Sequence, residues 1–162
     1  MNRIEPGPGQ ESVWDYPRPP RVEGSPETIR VEFGGQEIAR SKSALRVLET
    51  SHPPVYYIPL DDIDPEVLEP TATSTFCEFK GRASYYTLRV GESISVDAGW
   101  TYLAPSPGFE ALTGAVAFYP GRVDACFIGD EAVVPQAGDF YGGWITCNIV
   151  GPFKGGPGTF GW

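Results

Sequence analysis

The sequence predicts a mainly β protein with many short strands, and three observations lead to this fold class. Glycine (20) and proline (17) make up more than a fifth of the 162 residues, and such a density of helix breakers excludes long helices. Several short segments alternate apolar and polar side chains, which is the period of a half-buried strand. Aromatic residues form 13% of the chain and supply much of the bulk that one domain of this length buries in its core.

The first 27 residues are predicted to form an extended arm. Six prolines restrict the backbone there, and three glycines interrupt regular structure. Trp14 and Tyr16 are too apolar for a free tail. We therefore expect them to pack on the body of the domain, and the alternative is a segment that binds a partner or covers an active site.

The body of the domain, residues 28–129, is predicted to begin with a hairpin. Residues 28–33 alternate apolar and polar side chains, Gly34 and Gly35 provide the turn, and residues 36–40 lead back. A glycine pair between two such segments is typical of a β-hairpin.

The next segments predict two strands and one short helix. Residues 44–48 fit a strand or a helical turn, and the two prolines that follow soon afterwards favour the strand. Residues 55–58 form a second strand, which the next proline closes. Asp64 is a suitable N-cap with Pro65 at the first helical position, so one short helix is expected within residues 61–68.

Further strands are predicted from alternation and from apolar runs between glycines. They comprise residues 75–79, 83–90, 92–96, 100–103, 115–119 and 123–128, with one helical turn at residues 108–112. Residues 130–162 are rich in glycine and aromatic side chains, and we expect a C-terminal arm that packs on the domain.

Charge and cysteine usage narrow the classes of function. The formal net charge is −9, which opposes binding to phosphate backbones and to anionic lipid, so neither nucleic acid nor a membrane is an expected partner. Cys77, Cys126 and Cys147 form an odd, scattered set beside a single histidine, His52. No disulfide framework, metal site or cofactor is therefore expected. No apolar stretch follows Met1 or approaches membrane-spanning length, so a reducing, bacterial-type cytoplasm is the expected location.

Four blocks in the middle of the chain resemble one known family. They are Ala44-Leu-Arg-Val-Leu-Glu49, Pro54-Val-Tyr-Tyr-Ile-Pro59, Cys77-Glu-Phe-Lys-Gly81 with Ala83-Ser-Tyr85, and Val116-Ala-Phe-Tyr119. The pattern is similar to the domain of unknown function 427 family over roughly residues 31–124, and the two arms resemble those of its longer members. The resemblance implies a β-tent, Mss4-like fold with two small antiparallel sheets packed over one core and one or two short helices.

The resemblance implies no activity. The family usually has His-Cys-Pro before its aromatic-Lys-Gly, whereas this chain has Phe76-Cys77-Glu78, so no role of that histidine carries over. An older nucleotidyltransferase-like label is attached to the family. The chain does not carry a Gly-Ser closely followed by Asp-x-Asp, the pair that would hold metal ions for such a transfer.

Two cations and one thiol are the candidate chemical groups. Cys77 is the candidate catalytic residue, because the nearby ammonium of Lys80 would favour its nucleophilic thiolate, although most free cysteines are simply buried. Lys80 beside Gly81 suits an anion site, and the alternative is a solvated lysine in a turn. Arg46 suits a carboxylate or phosphate ligand, and the alternative is an internal ion pair, for which Glu49 is a candidate.

These groups and the tyrosines of several strands predict one aromatic-lined pocket. Its expected lining residues are Arg46, Tyr57, Cys77, Lys80, Tyr85 and Trp100. Two cations in a strongly acidic chain favour an anionic guest. The preferred function is a non-enzymatic domain that binds a small molecule, for which an anion is one option, or a peptide. The alternatives are an enzyme that uses Cys77 or an Arg46/Lys80 anion site, and a structural or interaction protein that forms a homodimer through its arms.

Overall fold

The computed structural model describes residues 1–138 and 140–162. Strands dominate it, and the described helical segments are single 3-10 turns, which confirms the mainly β class. In chain order the strands are β1 (Glu11–Ser12), β2 (Arg21–Gly24), β3 (Ile29–Phe33), β4 (Gln36–Ser41), β5 (Leu45–Leu48), β6 (Val55–Ile58), β7 (Leu68–Cys77), β8 (Gly81–Val90), β9 (Ser93–Thr101), β10 (Val116–Phe118), β11 (Ala125–Ile128), β12 (Glu131–Ala132), β13 (Val134–Pro135), β14 (Trp144–Ile145) and β15 (Ile149–Val150). The 3-10 turns are Val13–Asp15, Leu60–Asp62, Pro65–Val67, Glu110–Leu112 and Pro120–Arg122.

Two antiparallel sheets carry the fold. The larger has seven strands in the order β2-β5-β6-β10-β9-β8-β7, and the smaller has four in the order β12-β11-β3-β4. The predicted hairpin is confirmed as β3 and β4, and the predicted strand at residues 55–58 as β6. Where one short helix was expected, the chain makes two 3-10 turns, Leu60–Asp62 and Pro65–Val67. The Asp64 side chain caps the second by accepting a hydrogen bond from the Glu66 amide. No helix in the described part of the chain is long and apolar enough to cross a membrane.

The main core lies on one face of the larger sheet and includes the buried face of the smaller sheet. Ile29 and Val31 from β3 are fully buried there with Ile58 from β6 and Phe118 from β10. Because successive strand residues point to opposite faces, Tyr57 on β6 projects away from this core and belongs to a second buried cluster. The larger sheet therefore has two covered faces.

Two predicted strand boundaries are wrong, and β-bulges explain both. β7 begins at Leu68 rather than at residue 75, and its pairing with β8 shifts register between Pro70 and Ser74. β9 is one strand, although residues 92–96 and 100–103 were predicted as two. Asp97 adopts a left-handed φ of 52° inside β9, and a bulge of this kind keeps a strand continuous across residues that resemble a turn.

Both terminal segments pack on the rest of the same chain. β2 lies within the predicted N-terminal arm but forms an edge of the seven-stranded sheet. β1 pairs in parallel with β15, and the indole of Trp14 donates a hydrogen bond to the Pro152 carbonyl at 2.8 Å. The termini are therefore tied to each other as well as to the domain.

The C-terminal segment, residues 130–162, enters the main core. Trp144 is fully buried among core residues of both sheets and donates from its indole to the Phe118 carbonyl at 3.1 Å. Its ring lies 5.0 Å from that of Tyr56. Asp139, which belongs to the same predicted arm, lies outside the described residues.

Arg46 on β5 forms an internal ion pair network with the N-terminal residues. Its guanidinium lies 2.6 Å from the Glu11 carboxylate and 3.0 Å from that of Glu23, and its side chain is 14% exposed. Burial alone would raise the pKa of Glu11, but hydrogen bonds from Arg46 and Tyr16 outweigh burial and hold that pKa below its usual value.

We expect Arg46→Met to lower the free energy of unfolding by about 2 kcal/mol, because two partly buried carboxylates lose their partner. Urea denaturation at pH 7 measures the change. Arg82→Met is the matched control, since Arg82 is exposed and its side chain donates a 3.3 Å hydrogen bond to the Ser74 hydroxyl, with no ion pair among the described residues. Equal unfolding midpoints for the two variants would contradict a structural role for Arg46.

Candidate functional site

A cavity of about 240 Å³ lies on the face of the seven-stranded sheet that points away from the main core. Strands of this sheet form its floor, the turn between β7 and β8 forms one wall, and the C-terminal segment covers it. Its aromatic lining residues are Tyr57, Phe76, Phe79, Tyr85, Trp100, Tyr102, Tyr119, Phe140 and Tyr141. Its charged and polar lining residues are Glu49, His52, Thr75, Cys77, Glu78, Lys80, Gln136 and Lys154.

The strand register explains how distant aromatic residues meet on the floor. Tyr57 is opposite Ala117, Ala117 is opposite Trp100, and Trp100 is opposite Tyr85. Directly opposed residues point to the same face of a sheet, so the four form one row across β6, β10, β9 and β8. The small Ala117 side chain leaves space between its two large neighbours.

Hydroxyl groups are fixed by hydrogen bonds around the floor. The Trp100 indole donates to the Tyr57 hydroxyl at 3.2 Å, and the hydroxyls of Thr75 and Tyr85 are 3.0 Å apart. Burial raises the pKa of Tyr57 well above its usual value. The rings of the floor are therefore apolar, and the buried Tyr57 phenol stays neutral.

A polar group at the side of the cavity holds His52 in one tautomer. Gln136 accepts from the Gly143 amide at 3.1 Å through Oε1, and its Nε2 donates to the Lys154 carbonyl at 2.6 Å. Both contacts fix the orientation of the amide, so Nε2 also faces Nδ1 of His52, at 3.3 Å, as a donor. Nδ1 must then accept, which places the ring proton on Nε2, 3.7 Å from the Glu49 carboxylate.

This environment keeps His52 neutral. Burial lowers its pKa to about 4, and the positive charges of Lys154, Arg18 and Lys80 act in the same direction. Protonation would also place a second N–H against the amide donor of Gln136. The three cations show that the electrostatic field at this side of the cavity is positive.

The two lysines of the lining are only partly exposed. Neither Lys80 nor Lys154 has an Asp or Glu carboxylate within 4.0 Å among residues 1–138 and 140–162. Glu49, by contrast, lies 3.5 Å from the guanidinium of Arg18. Glu78 is exposed at the rim, where water screens its charge.

The structure brings five of the six predicted pocket residues to the cavity. Tyr57, Cys77, Lys80, Tyr85 and Trp100 line it, and Cys77 is half-buried there. Arg46 does not line it. Val47, the next residue on β5, faces the cavity, so the alternation of the strand turns Arg46 to the opposite face, where it meets Glu11 and Glu23.

Sequence reasoning missed the polar side of the cavity. His52, Gln136 and Lys154 lie in irregular segments far apart in the chain, and no local pattern joins them. The composition gave one indication of these residues, because the chain has only three lysines and one histidine. Two of those lysines and the histidine line this cavity. In the described part of the chain no three His, Cys, Asp or Glu side chains are grouped so as to hold a metal ion.

Comparison with known proteins assigns most of this fold to one family. The sequence profile described as "Domain of unknown function (DUF427)" matches residues 21–129. No curated protein matches the chain. The match includes the floor of the cavity but ends before Gln136, Phe140, Tyr141 and Lys154, which cover it.

Proposed function

The chain belongs to the DUF427 family of domains of unknown function, and we propose that it binds a small organic molecule in the aromatic-lined cavity. The observation that carries this proposal is the row formed by Tyr57, Ala117, Trp100 and Tyr85. The three aromatic members of this row line a cavity of about 240 Å³ with rings and fixed hydroxyls. Concave sites with aromatic walls and a few oriented polar groups are typical of small-molecule binding.

Binding is favoured over catalysis because the histidine of the cavity has no free basic nitrogen. Nδ1 of His52 accepts from Gln136, and Nε2 carries the proton. A cysteine nucleophile needs a neighbouring group that accepts its proton. Cys77 lines the same cavity, but in this arrangement His52 does not supply that group.

A small molecule is favoured over a peptide because the C-terminal segment lies across the cavity. Gly142 lies so close to the Trp100 ring that a β-carbon there would overlap it. An extended peptide backbone needs an open groove or a free sheet edge. The homodimer expected through the arms stays a prediction, and both arms make their described contacts within one chain.

We expect filling the cavity to abolish ligand binding without unfolding the protein. Ala83 is buried and lines the cavity. The Ala83→Leu side chain should therefore fill part of the cavity, and the Ala83→Phe side chain should fill more of it. A ligand-observed NMR screen of neutral, cationic and anionic fragments measures binding. Fragments that bind the wild type should bind Ala83→Leu more weakly and Ala83→Phe at least tenfold more weakly.

Ala72→Phe is the matched control, because Ala72 is exposed on the neighbouring strand β7. It should bind every fragment as the wild type does. Thermal unfolding of each variant shows whether the fold is kept. If no fragment of any charge binds the wild type, or if filled and control variants bind alike, the cavity is not the binding site.

A further inference from the structure

We infer that the ligand of this cavity is an aromatic monocarboxylate whose carboxylate is bound jointly by Lys80 and Lys154. The inference rests on the proposed binding function and adds the chemical class of the ligand. It also gives Lys154 a role in binding the ligand. Lys154 lies in the C-terminal segment, outside the region that matches the family.

The two lysines have hydrogen-bonding capacity that the protein leaves unused. Among the described residues, the Lys80 ammonium has no hydrogen-bond or ion-pair partner, and it lies 6.0 Å from the centre of the Tyr102 ring. The Lys154 ammonium donates one hydrogen bond, to the main-chain oxygen of Trp162 at 3.2 Å. An ammonium has three donors, and both groups are half-buried beside the cavity.

Lys80 and Lys154 line the same cavity. Both contribute to the lowered pKa of His52, whose ring lies 5.0 Å from that of Tyr141. The Lys154 ammonium in turn lies 5.7 Å from the centre of the Tyr141 ring. Two like charges that line one partly buried cavity cost free energy unless an anion neutralises them.

The balance of charge at the cavity fits a ligand with one negative charge. The lining has two cations, Lys80 and Lys154, and two carboxylates, Glu49 and Glu78, and His52 is neutral. Glu49 is paired with Arg18, which lies outside the lining. One positive charge is left over. A monocarboxylate neutralises it, whereas a phosphate monoester, with nearly two charges at neutral pH, would leave excess negative charge in an already acidic chain.

The space and the walls fit a single aromatic ring. A volume of about 240 Å³ equals that of about eight water molecules at their liquid volume, which suits a ring with one or two small substituents. Trp100 and Tyr119 pack at 4.6 Å between ring centres and offer aromatic surfaces. The hydroxyls of Tyr57 and Tyr85 offer hydrogen bonds to a polar substituent on the ring.

Calorimetric titration of the full chain at pH 7.5 with three matched probes tests the inference. Benzoate carries one charge, benzamide has the same shape without charge, and phenyl phosphate carries nearly two. We expect benzoate to bind wild-type protein about tenfold more tightly than either of the others. Lys80→Met and Lys154→Met should each weaken benzoate binding about tenfold and leave benzamide binding within twofold, because only a charged acceptor gains from the ammonium.

Lys42→Met is the control, since Lys42 is the remaining lysine of the chain and is exposed away from the cavity. It should bind benzoate as the wild type does. Benzoate that fails to bind the wild type, benzamide or phenyl phosphate that binds as tightly, or lysine variants that match Lys42→Met would each overturn the inference. If benzoate fails these tests while uncharged fragments bind the wild type but not Ala83→Phe, the proposed function holds and this inference fails.

Discussion

Trp144→Ala is expected to lower the free energy of unfolding by about 3–5 kcal/mol, the usual cost of truncating a large buried aromatic residue. Trp144 has no exposed surface and lies in the main core with residues of both sheets. The substitution leaves a cavity, and the Phe118 carbonyl loses its indole donor. Urea denaturation monitored by far-ultraviolet circular dichroism measures the change.

Trp162→Ala is the control, because it also removes an indole side chain but not one that lies in the main core. Trp162 is partly exposed and makes an edge contact with Trp14 at 5.4 Å between ring centres, so its loss should cost about 1 kcal/mol. Similar costs for the two variants would show that the C-terminal segment is an appendage. A large difference shows that this segment completes the core.

This result bears on the cavity, because the same segment covers it. β14 begins at Trp144 and pairs with β13, and the residues just before it, Tyr141 and Gly142, line the cavity. Gln136 next to β13 accepts from the Gly143 amide and so ties the two sides of the segment together. A domain that stopped at the end of the family match would keep the floor of the cavity and lose its cover.

Local patterns predicted the strands well where alternation was uninterrupted. The pattern of side chains within β3, β4 and β6 was enough to predict these strands. Asp64 and Pro65 were enough to predict the capped turn that follows. The pattern failed where a bulge interrupts it. Inside β9, Asp97 is stabilised by hydroxyls of Thr71 and Thr73 at 2.8 Å, and such partners on another strand cannot be inferred from the local sequence.

The site was predictable only in its strand-borne part. Tyr57, Tyr85 and Trp100 lie on central strands, and their family blocks made them conspicuous. The prediction that Arg46 lines the same pocket was wrong. The face to which a strand residue points depends on how its strand is paired with the neighbouring strands. His52, Gln136 and Lys154 meet through irregular segments that are fixed by side chain-to-backbone hydrogen bonds, and these carry no periodic signal.

Acidification from pH 7 to pH 5 is expected to lower the free energy of unfolding by about 2 kcal/mol through His52 alone. The pKa of His52 falls from its ordinary 6.5 to about 4 in the folded protein. Above pH 6.5 the ring is neutral in both states and contributes no pH dependence. Between pH 6.5 and 4 the unfolded chain binds the proton and the folded chain does not, so stability falls throughout that window and levels off below it.

The composition of the chain makes this assignment testable with one substitution. His52 is the only histidine, and no other side chain with an ordinary pKa changes charge between pH 5 and 8. The carboxylates with lowered pKa, Glu11, Glu37 and Glu110, lose their contribution only below about pH 4.5. Urea titrations of wild type and His52→Asn at pH 7, 6 and 5 should therefore differ in slope, with the variant nearly independent of pH.

The difference in pH dependence between the wild type and His52→Asn also tests the arrangement of polar groups around His52. If the wild type keeps its pH 7 stability at pH 5, His52 is not held neutral, and the tautomer set by Gln136 is wrong. A basic Nδ1 would then be available in the cavity that Cys77 also lines, and the case for binding over catalysis would lose its main support. Gln136→Leu supplies the intermediate case, because it removes the amide donor that faces Nδ1. It should raise the pKa of His52 and so flatten the decline in stability between pH 6.5 and 5.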